Sequence, residues 1–493
     1  MVIRPVPETE LWNRMRVDNP WWSSPHKIDP ERFGNLPKRA YFDFFFPFVE
    51  EREPNRALIL MGPRRVGKTV MLHQAIQNLI DKGTDPRRIF YLDIQTPLYN
   101  HIPLDELIRL ARGASLCPDS RETFVFFDEI QYLPSWEVHL KNLVDVSSGS
   151  KFVASGSAAA ALRLKSIESG AGRFTDFVLP PITFYEYCQF IGKELVQITT
   201  EPDPKYVARW LKNDLDELNE DFFNYLNHGG YPEAIFSPKI QSDMGRYIKS
   251  DIVDKVLMKD LPSLYGIQDI QELNSLFTML AYNTSSEVSL DSLSQSAGVA
   301  KNTIKRYIEY LETAFLVKVV HRVDRSAKRF SRANFFKVYL TNPSLRTALF
   351  SPTGPKDNAA GPLVETAVFS QWFHSTDTSI YYARWEKGAG EVDMVWLDKG
   401  SQKPSQSVEV KWSDSCVRDA SELSSLRKFL DMHKKCRAIV TTKRASGDIL
   451  VGSHRVSLWP SSVYCYVVGW NVIRQKREFP ELASLLNHPG QDP

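Results

Sequence analysis

The sequence predicts an α/β protein built on a parallel sheet with helices on both faces, and three observations predict it. Gly62-Pro63-Arg64-Arg65-Val66-Gly67-Lys68-Thr69 has the G-x-x-x-x-G-K-T spacing of a phosphate-binding loop. An apolar run, Arg56-Ala57-Leu58-Ile59-Leu60-Met61, precedes it, and a helical stretch from Val70 to Leu79 follows. Further short apolar runs then alternate with helical stretches, the pattern of strands joined by crossover helices.

Each part of the loop has a physical task. Gly62 and Gly67 let the backbone curl so that successive N–H groups point at the phosphate oxygens, in a loop that Pro63 and Val70 also line. Lys68 reaches the β- and γ-phosphates, and Thr69 offers a hydroxyl to Mg²⁺. The helix that follows aims its positive end at the same anion. Arg64, Arg65 and Val66 complete the cradle.

Arg88 to Ile94 reads as a second buried strand. Thr123-Phe124-Val125-Phe126-Phe127-Asp128-Glu129 is an apolar strand ending in two acids, the Walker B arrangement. Asp128 is placed to hold the Mg²⁺ shell, and Glu129 to orient and deprotonate the attacking water. Lys151 to Ser157 is expected to lie between the phosphate-loop strand and the Walker B strand, with Ser157, or alternatively Ser155, sensing the γ-phosphate. Gly170-Ala171-Gly172-Arg173-Phe174 opens a fifth strand through Leu179, with Arg173 as a candidate finger in cis or on a neighbouring subunit. Nucleotide is expected at the carboxyl ends of the strands.

The remaining segments are assigned in order. Residues 1–54 form an arm rich in aromatics, either packed on the core or binding a partner, and 55–180 form the core. Residues 181–284 are acidic and helical and are expected to form a lid, including Trp210 to Leu218. Residues 285–350 contain a capped helix from Ser289, a turn at Gly298 and a second helix from Lys301 to Leu311. The strand Phe315 to Val320 follows, giving a winged helix-turn-helix. Lys301, Asn302, Lys305 and Arg306 face outward, toward DNA or a packing partner. Arg322, Arg325, Lys328, Arg329, Arg332 and Lys337 add a local basic excess against Asp324.

Residues 351–362 have the composition of a linker, and 363–493 are expected to form a separate domain. There Glu365 lies on a helix and Asp393 on a hairpin strand, and period-two alternation puts Glu409 and Lys411 on one face of the next strand. Asp393 and Glu409 can meet around a divalent metal, Lys411 can orient a water, and Glu365 can close the site. The alternative is an ion-pair cluster on a half-exposed sheet.

Size suggests about three domains for 493 residues. A formal net charge of +2 excludes a molecule that binds nucleic acid by bulk charge, so any such face is local. Cys117, Cys188, Cys416, Cys436 and Cys465 form no C-x-x-C pair, which argues against structural zinc and disulfides and for the cytoplasm. Neither a signal-peptide core nor a membrane-spanning run is visible, so no membrane partner is expected.

These residues together resemble the bacterial and archaeal AAA-type ATPases that carry a C-terminal nuclease-like domain of unknown function. The resemblance rests on the phosphate loop, Phe127-Asp128-Glu129, Gly172-Arg173-Phe174, Gly229-Gly230-Tyr231-Pro232 and the winged helix. It also rests on Glu391-Val392-Asp393 and Val408-Glu409-Val410-Lys411, and covers the chain from about Asn55 onward. It implies an AAA-type core, a helical lid, a winged helix and a restriction-endonuclease-like domain of the PD-(D/E)xK type. Val392 departs from the usual Pro, and Asn342-Pro343-Ser344-Leu345 departs from an expected acid and Gly. The expectation is an ATPase with ATP and Mg²⁺ as cofactors and DNA as a partner, open to homo-oligomerisation. Its C-terminal domain either cuts DNA or serves as a binding platform of an ATP switch.

Overall fold

The computed structural model describes residues 7–23, 26–99, 102–117, 122–147, 149–156, 172–193, 215–328, 334–373, 379–385 and 390–478. They fall into two compact units, Met1–Pro180 and Pro181–Pro493.

In the first unit the expected strands are β1 (Ala57–Met61), β2 (Ile89–Asp93), β3 (Phe124–Asp128), β4 (Lys151–Gly156) and β5 (Phe174–Val178). They form one sheet in the order β2-β3-β4-β1-β5, with every neighbouring pair parallel. Every residue of β1, β3 and β4 is buried, which is why these strands read as unbroken apolar runs. The order seats β4 between β1 and β3, so the turns after β1 and β3 open side by side at the carboxyl edge.

The arm packs on this core. Asn19 accepts from the N–H of Tyr91 at 2.7 Å and donates to its carbonyl at 2.9 Å, so one side chain stands in for a further strand beside the edge strand β2. The indoles of Trp21 and Trp22 both donate to the Ile89 carbonyl, at 3.0 and 2.8 Å. Both rings are buried, so these two aromatics serve the core.

The second unit holds a nine-stranded sheet. Its strands are β6 (Glu287–Ser289), β7 (Val317–Val323), β8 (Phe335–Leu340), β9 (Ile380–Trp385), β10 (Gly390–Leu397), β11 (Pro404–Glu409), β12 (Arg437–Thr442), β13 (Gly447–Val451) and β14 (His454–Pro460). The order is β13-β14-β12-β11-β10-β9-β7-β8-β6. Ser289 caps the helix Leu290–Ala297 through a reciprocal bond with Ser292, and Gly298 ends it in the left-handed region at φ 68°. The helix Lys301–Thr313 then leads into the β7–β8 hairpin.

The boundary expected at 351–362 does not divide this sheet. β7 pairs in parallel with β9, Arg322 opposite Tyr382, so the hairpin and the C-terminal strands share one ladder. The open edge of β7 is satisfied by β9 rather than by solvent. The helix carrying Glu365 runs Ala360–Trp372 and begins within the expected linker. Of the expected helix Trp210 to Leu218, residues through Asp214 lie outside the described residues, and a helix runs Leu215–His228.

Gly229-Gly230-Tyr231 is explained by packing. Gly230 donates its N–H to Ser344 Oγ at 3.1 Å, and a Cβ on Gly230 would stand 1.7 to 2.1 Å from Asn342 side-chain atoms. The departure at Asn342-Pro343-Ser344 is thus the partner of Gly230, and both polar side chains are buried. Gly230→Ala should cost roughly 1–3 kcal/mol and lower the unfolding midpoint, because backbone and Asn342 must both shift. Gly361→Ala, on a helix where a Cβ meets nothing within 4 Å, should be neutral or slightly stabilising. Thermal denaturation of the two variants checks both expectations.

Candidate functional site

β1 ends at Met61, and the backbone turns at Gly62, where a Cβ would lie 2.3 Å from the Leu179 carbonyl oxygen. Gly67, at φ 101°, caps the helix Lys68–Asp81 in a conformation that favours glycine. Arg39 of the arm, buried, ties the loop from behind by donating to the carbonyls of Val66 at 2.9 Å and Pro180 at 3.0 Å. Lys68 is buried and folds back onto the loop, donating to the carbonyls of Gly62 at 2.9 Å and Pro63 at 2.8 Å. Its ammonium therefore meets neutral carbonyls of the loop, weaker acceptors than an anion.

Asp128 lies opposite. Thr69 Oγ1 donates to Asp128 Oδ2 at 2.8 Å, and Tyr91 OH donates to the same oxygen at 2.7 Å. Ser155 Oγ donates to Asp128 Oδ1, and the Glu129 N–H reaches Oδ1 at 3.2 Å. Burial pushes the Asp128 carboxyl above the usual carboxylate range, and Glu129 adds to this, while the bonds from Ser155, Tyr91 and Thr69 oppose it. Thr69 and Asp128 present paired hard oxygens, a donor set that suits Mg²⁺. Glu129 adopts the left-handed region at φ 53°, and Gln131 Nε2 donates to its carboxylate.

The structure thus brings together Gly62 through Val70, Asp128 and Glu129. Ser157 lies outside the described residues, and Ser155, the alternative, touches Asp128. Arg173 is not brought to the loop. It precedes β5, its carbonyl accepts from Ala57 at the start of β1, and its side chain pairs with Asp145 at 2.9 Å. Because β1 runs from there to Met61, Arg173 sits a strand's length, roughly 13 Å, from the phosphate loop, which removes a role in cis.

Tyr91, Asp93, Gln131 and Arg39 were not singled out from sequence. The signal for Asp93 was present: β2, like β3, is an apolar run ending in Asp, and the two acids pair in register.

In the second unit the expected set converges with one addition. Met394 pairs with Val408 across β10 and β11, which sets Asp393 opposite Glu409. The Val410 N–H donates to Asp393 Oδ2 at 2.9 Å, and Lys411 Nζ donates to Glu409 Oε1 at 2.9 Å. The addition is Lys337 of β8. Its Nζ lies 2.9 Å from Glu365 Oε1, 2.7 Å from Glu391 Oε1 and 3.3 Å from Asp393 Oδ1. Tyr339 OH donates to Glu365 Oε1 at 2.7 Å. Burial opposes the charge on Lys337, but Glu365, Tyr339, Asp393 and Glu391 outweigh it and hold the ammonium well above the ordinary lysine range. Burial pushes Glu365 up to about 7 and Glu409 up to about 8, with Asp393 adding to the latter.

Asp393 and Glu409, expected to hold a divalent metal, each lie beside a lysine. Among the described residues no three His, Cys, Asp or Glu side chains stand in a metal-holding group, and the cation between the carboxylates is Lys337. The basic run shrinks. Lys337 is buried, Arg322 donates to the Arg384 carbonyl at 2.8 Å, and Arg329 and Arg332 lie outside the described residues. Lys301, Asn302, Lys305 and Arg306 do face solvent, with Lys301 paired to Asp291 and Lys305 3.9 Å from Glu309. Among the described residues no helix is long and apolar enough to cross a membrane, and all five cysteines are free thiols.

The Asp93 carboxyl is pushed up from 3.8 to about 6, first by burial and then by Asp128. A carboxyl raised in the fold costs stability above its folded value and none below its unfolded value. Without nucleotide and magnesium, Asp93→Asn should therefore raise the unfolding midpoint near pH 8, by about 1 kcal/mol after allowing for remaining solvent contact. The gain should fade as the pH falls through about 6 toward 3.8, followed by thermal melts across that range.

A family model described as an AAA domain (AAA_14) matches residues 54–188, and one described as a domain of unknown function (DUF8612) matches residues 219–356. An uncharacterized protein of Haemophilus influenzae is 23% identical over 397 residues, covering 78% of this chain and 90% of the relative. An uncharacterized protein of Methanocaldococcus jannaschii is also 23% identical over 397 residues, covering 76% and 80%. Among solved structures, the replication initiator DnaA bound to AMPPCP and single-stranded DNA is 13% identical, covering 58% of this chain and 92% of its own, with a TM-score of 0.27. Cdc6p from Pyrobaculum aerophilum is 12% identical, covering 71% and 98%, with a TM-score of 0.26. The family match gives the chain an AAA-type P-loop domain over residues 54–188.

Proposed function

We propose that this chain binds ATP with Mg²⁺ at Gly62 to Thr69 and hydrolyses it. The observation that carries this reading is the bond between Thr69 and Asp128 at 2.8 Å, with Glu129 next in sequence and Lys68 beside it. When ATP enters, Lys68 exchanges the carbonyls of Gly62 and Pro63 for phosphate oxygens, which are stronger acceptors. The loop N–H groups and the N-terminus of the helix Lys68–Asp81 take the remaining charge. Thr69 and Asp128 would hold the magnesium, which would supply neutralisation of the phosphate charge. Glu129 accepts the proton of the attacking water and Gln131 positions its carboxylate, while Ser155, bonded to Asp128, is the described candidate to sense the γ-phosphate. Any finger role of Arg173 belongs to a neighbouring copy in a homo-oligomer.

The exposed Lys301, Asn302, Lys305 and Arg306, on the helix after a capped helix and a tight turn, support a winged helix that meets DNA. For the C-terminal strands, Lys337 within 3.3 Å of three carboxylates favours the reading without cutting, a nuclease-like fold used as a binding platform.

Glu129→Gln should retain ATP and lose turnover by about 10²-fold or more. Nucleotide binding and phosphate release measured together test it, and unchanged turnover removes Glu129 as the base. Incubation of linear, branched and single-stranded DNA with Mg²⁺ or Mn²⁺, with and without ATP, should leave all three intact. Cutting that disappears in Asp393→Ala would instead establish a nuclease.

A further inference from the structure

β8 reads Phe335-Phe336-Lys337-Val338-Tyr339-Leu340, with one charge in an otherwise apolar or aromatic strand. That charge is buried, its side chain 3% exposed. An ammonium has three N–H donors, and three carboxylates surround this one. Glu365 comes from the helix Ala360–Trp372, while Glu391 and Asp393 come from alternate positions of β10 and so share a face. Arg384 of β9 closes the outer side, its Nε 3.4 Å from Glu391 Oε2. Lys411 holds only one oxygen of Glu409. The other, Oε2, is buried without a hydrogen-bond partner, on a residue 8% exposed.

A divalent cation at Asp393 and Glu409 would need oxygens at about 2.0–2.6 Å. Asp393 Oδ1 is already turned to the Lys337 ammonium, and a second cation beside it would meet a like charge in a site with little water to screen it. We infer that Lys337 is the resident cation of this carboxylate site and keeps divalent metal away from Asp393 and Glu409. The orphaned Glu409 oxygen is the acceptor left over by that arrangement. The inference rests on the binding-platform reading of the C-terminal strands, but it concerns metal affinity and not cutting.

Mn²⁺ titrated into the full chain, followed by the electron spin resonance of the free ion, tests it without any catalytic readout. Lys337→Met, of similar length and without charge, should bind Mn²⁺ about tenfold more tightly than the wild type, or better. Adding Asp393→Asn to that variant should abolish the gain. Lys337→Gln, which keeps polar contacts to Glu365 and Tyr339, serves if the Met variant does not fold, with far-ultraviolet circular dichroism as the check. Equal affinity in the wild type and a folded variant overturns the inference, as does a gain that survives Asp393→Asn. Tight wild-type binding lost in Lys337→Met would overturn it and leave a metal site standing, whereas the DNA incubation alone decides cutting.

Discussion

The carboxylate of Asp128 is buried at the end of a central strand, and the first unit is arranged to make that tolerable. A buried, unpaired charge costs several kcal/mol. Thr69, Tyr91, Ser155 and the Glu129 N–H offset the cost from four directions. Those donors come from the first turn of the helix Lys68–Asp81, from β2, from β4 and from the turn after β3. Their convergence requires the strand order β2-β3-β4-β1, and that order requires crossover helices. The arm protects the arrangement at two points, since Asn19, Trp21 and Trp22 cover the edge of β2 while Arg39 ties Val66.

The second unit meets a similar problem differently. Its carboxylates are neutralised by lysines placed within the sheet, Lys337 from β8 and Lys411 just after β11. Lys337 links strands of one hairpin to β10 and to the helix Ala360–Trp372. The pairing of β7 with β9 makes that link possible, because it places β8 in the same ladder as the carboxylates. A sheet of nine strands with one interior lysine couples parts that the sequence presents as separate.

Legibility followed the range of the interactions. The phosphate loop, Asp128 and Glu129 are local patterns, and so are the Ser289 cap and the Gly298 turn, and all were visible in sequence. Tyr91 acts through a strand neighbour far apart in the chain and only the sheet order reveals it, whereas Ser155 was a candidate from sequence and Asp93 ends an apolar run as Asp128 does. The cis reading of Arg173 drew on a Gly pair near a strand, which carries no information about which end of the sheet it occupies. Lys337 was counted with the solvent-facing basic run, although a lone charge inside an apolar strand is the signature of a buried partner. The linker composition at 351–362 was real, but composition does not reveal that β7 and β9 pair across it.

The central claim is that nucleotide enters where Lys68 now rests. A crystal structure of the full chain with a non-hydrolysable ATP analogue and Mg²⁺ tests it most directly. The account predicts that Lys68 Nζ leaves the carbonyls of Gly62 and Pro63 for phosphate oxygens, and that Thr69 and Asp128 part to hold the metal between them. Nucleotide bound elsewhere, or Lys68 still on those carbonyls with Thr69 and Asp128 in direct contact, would contradict it.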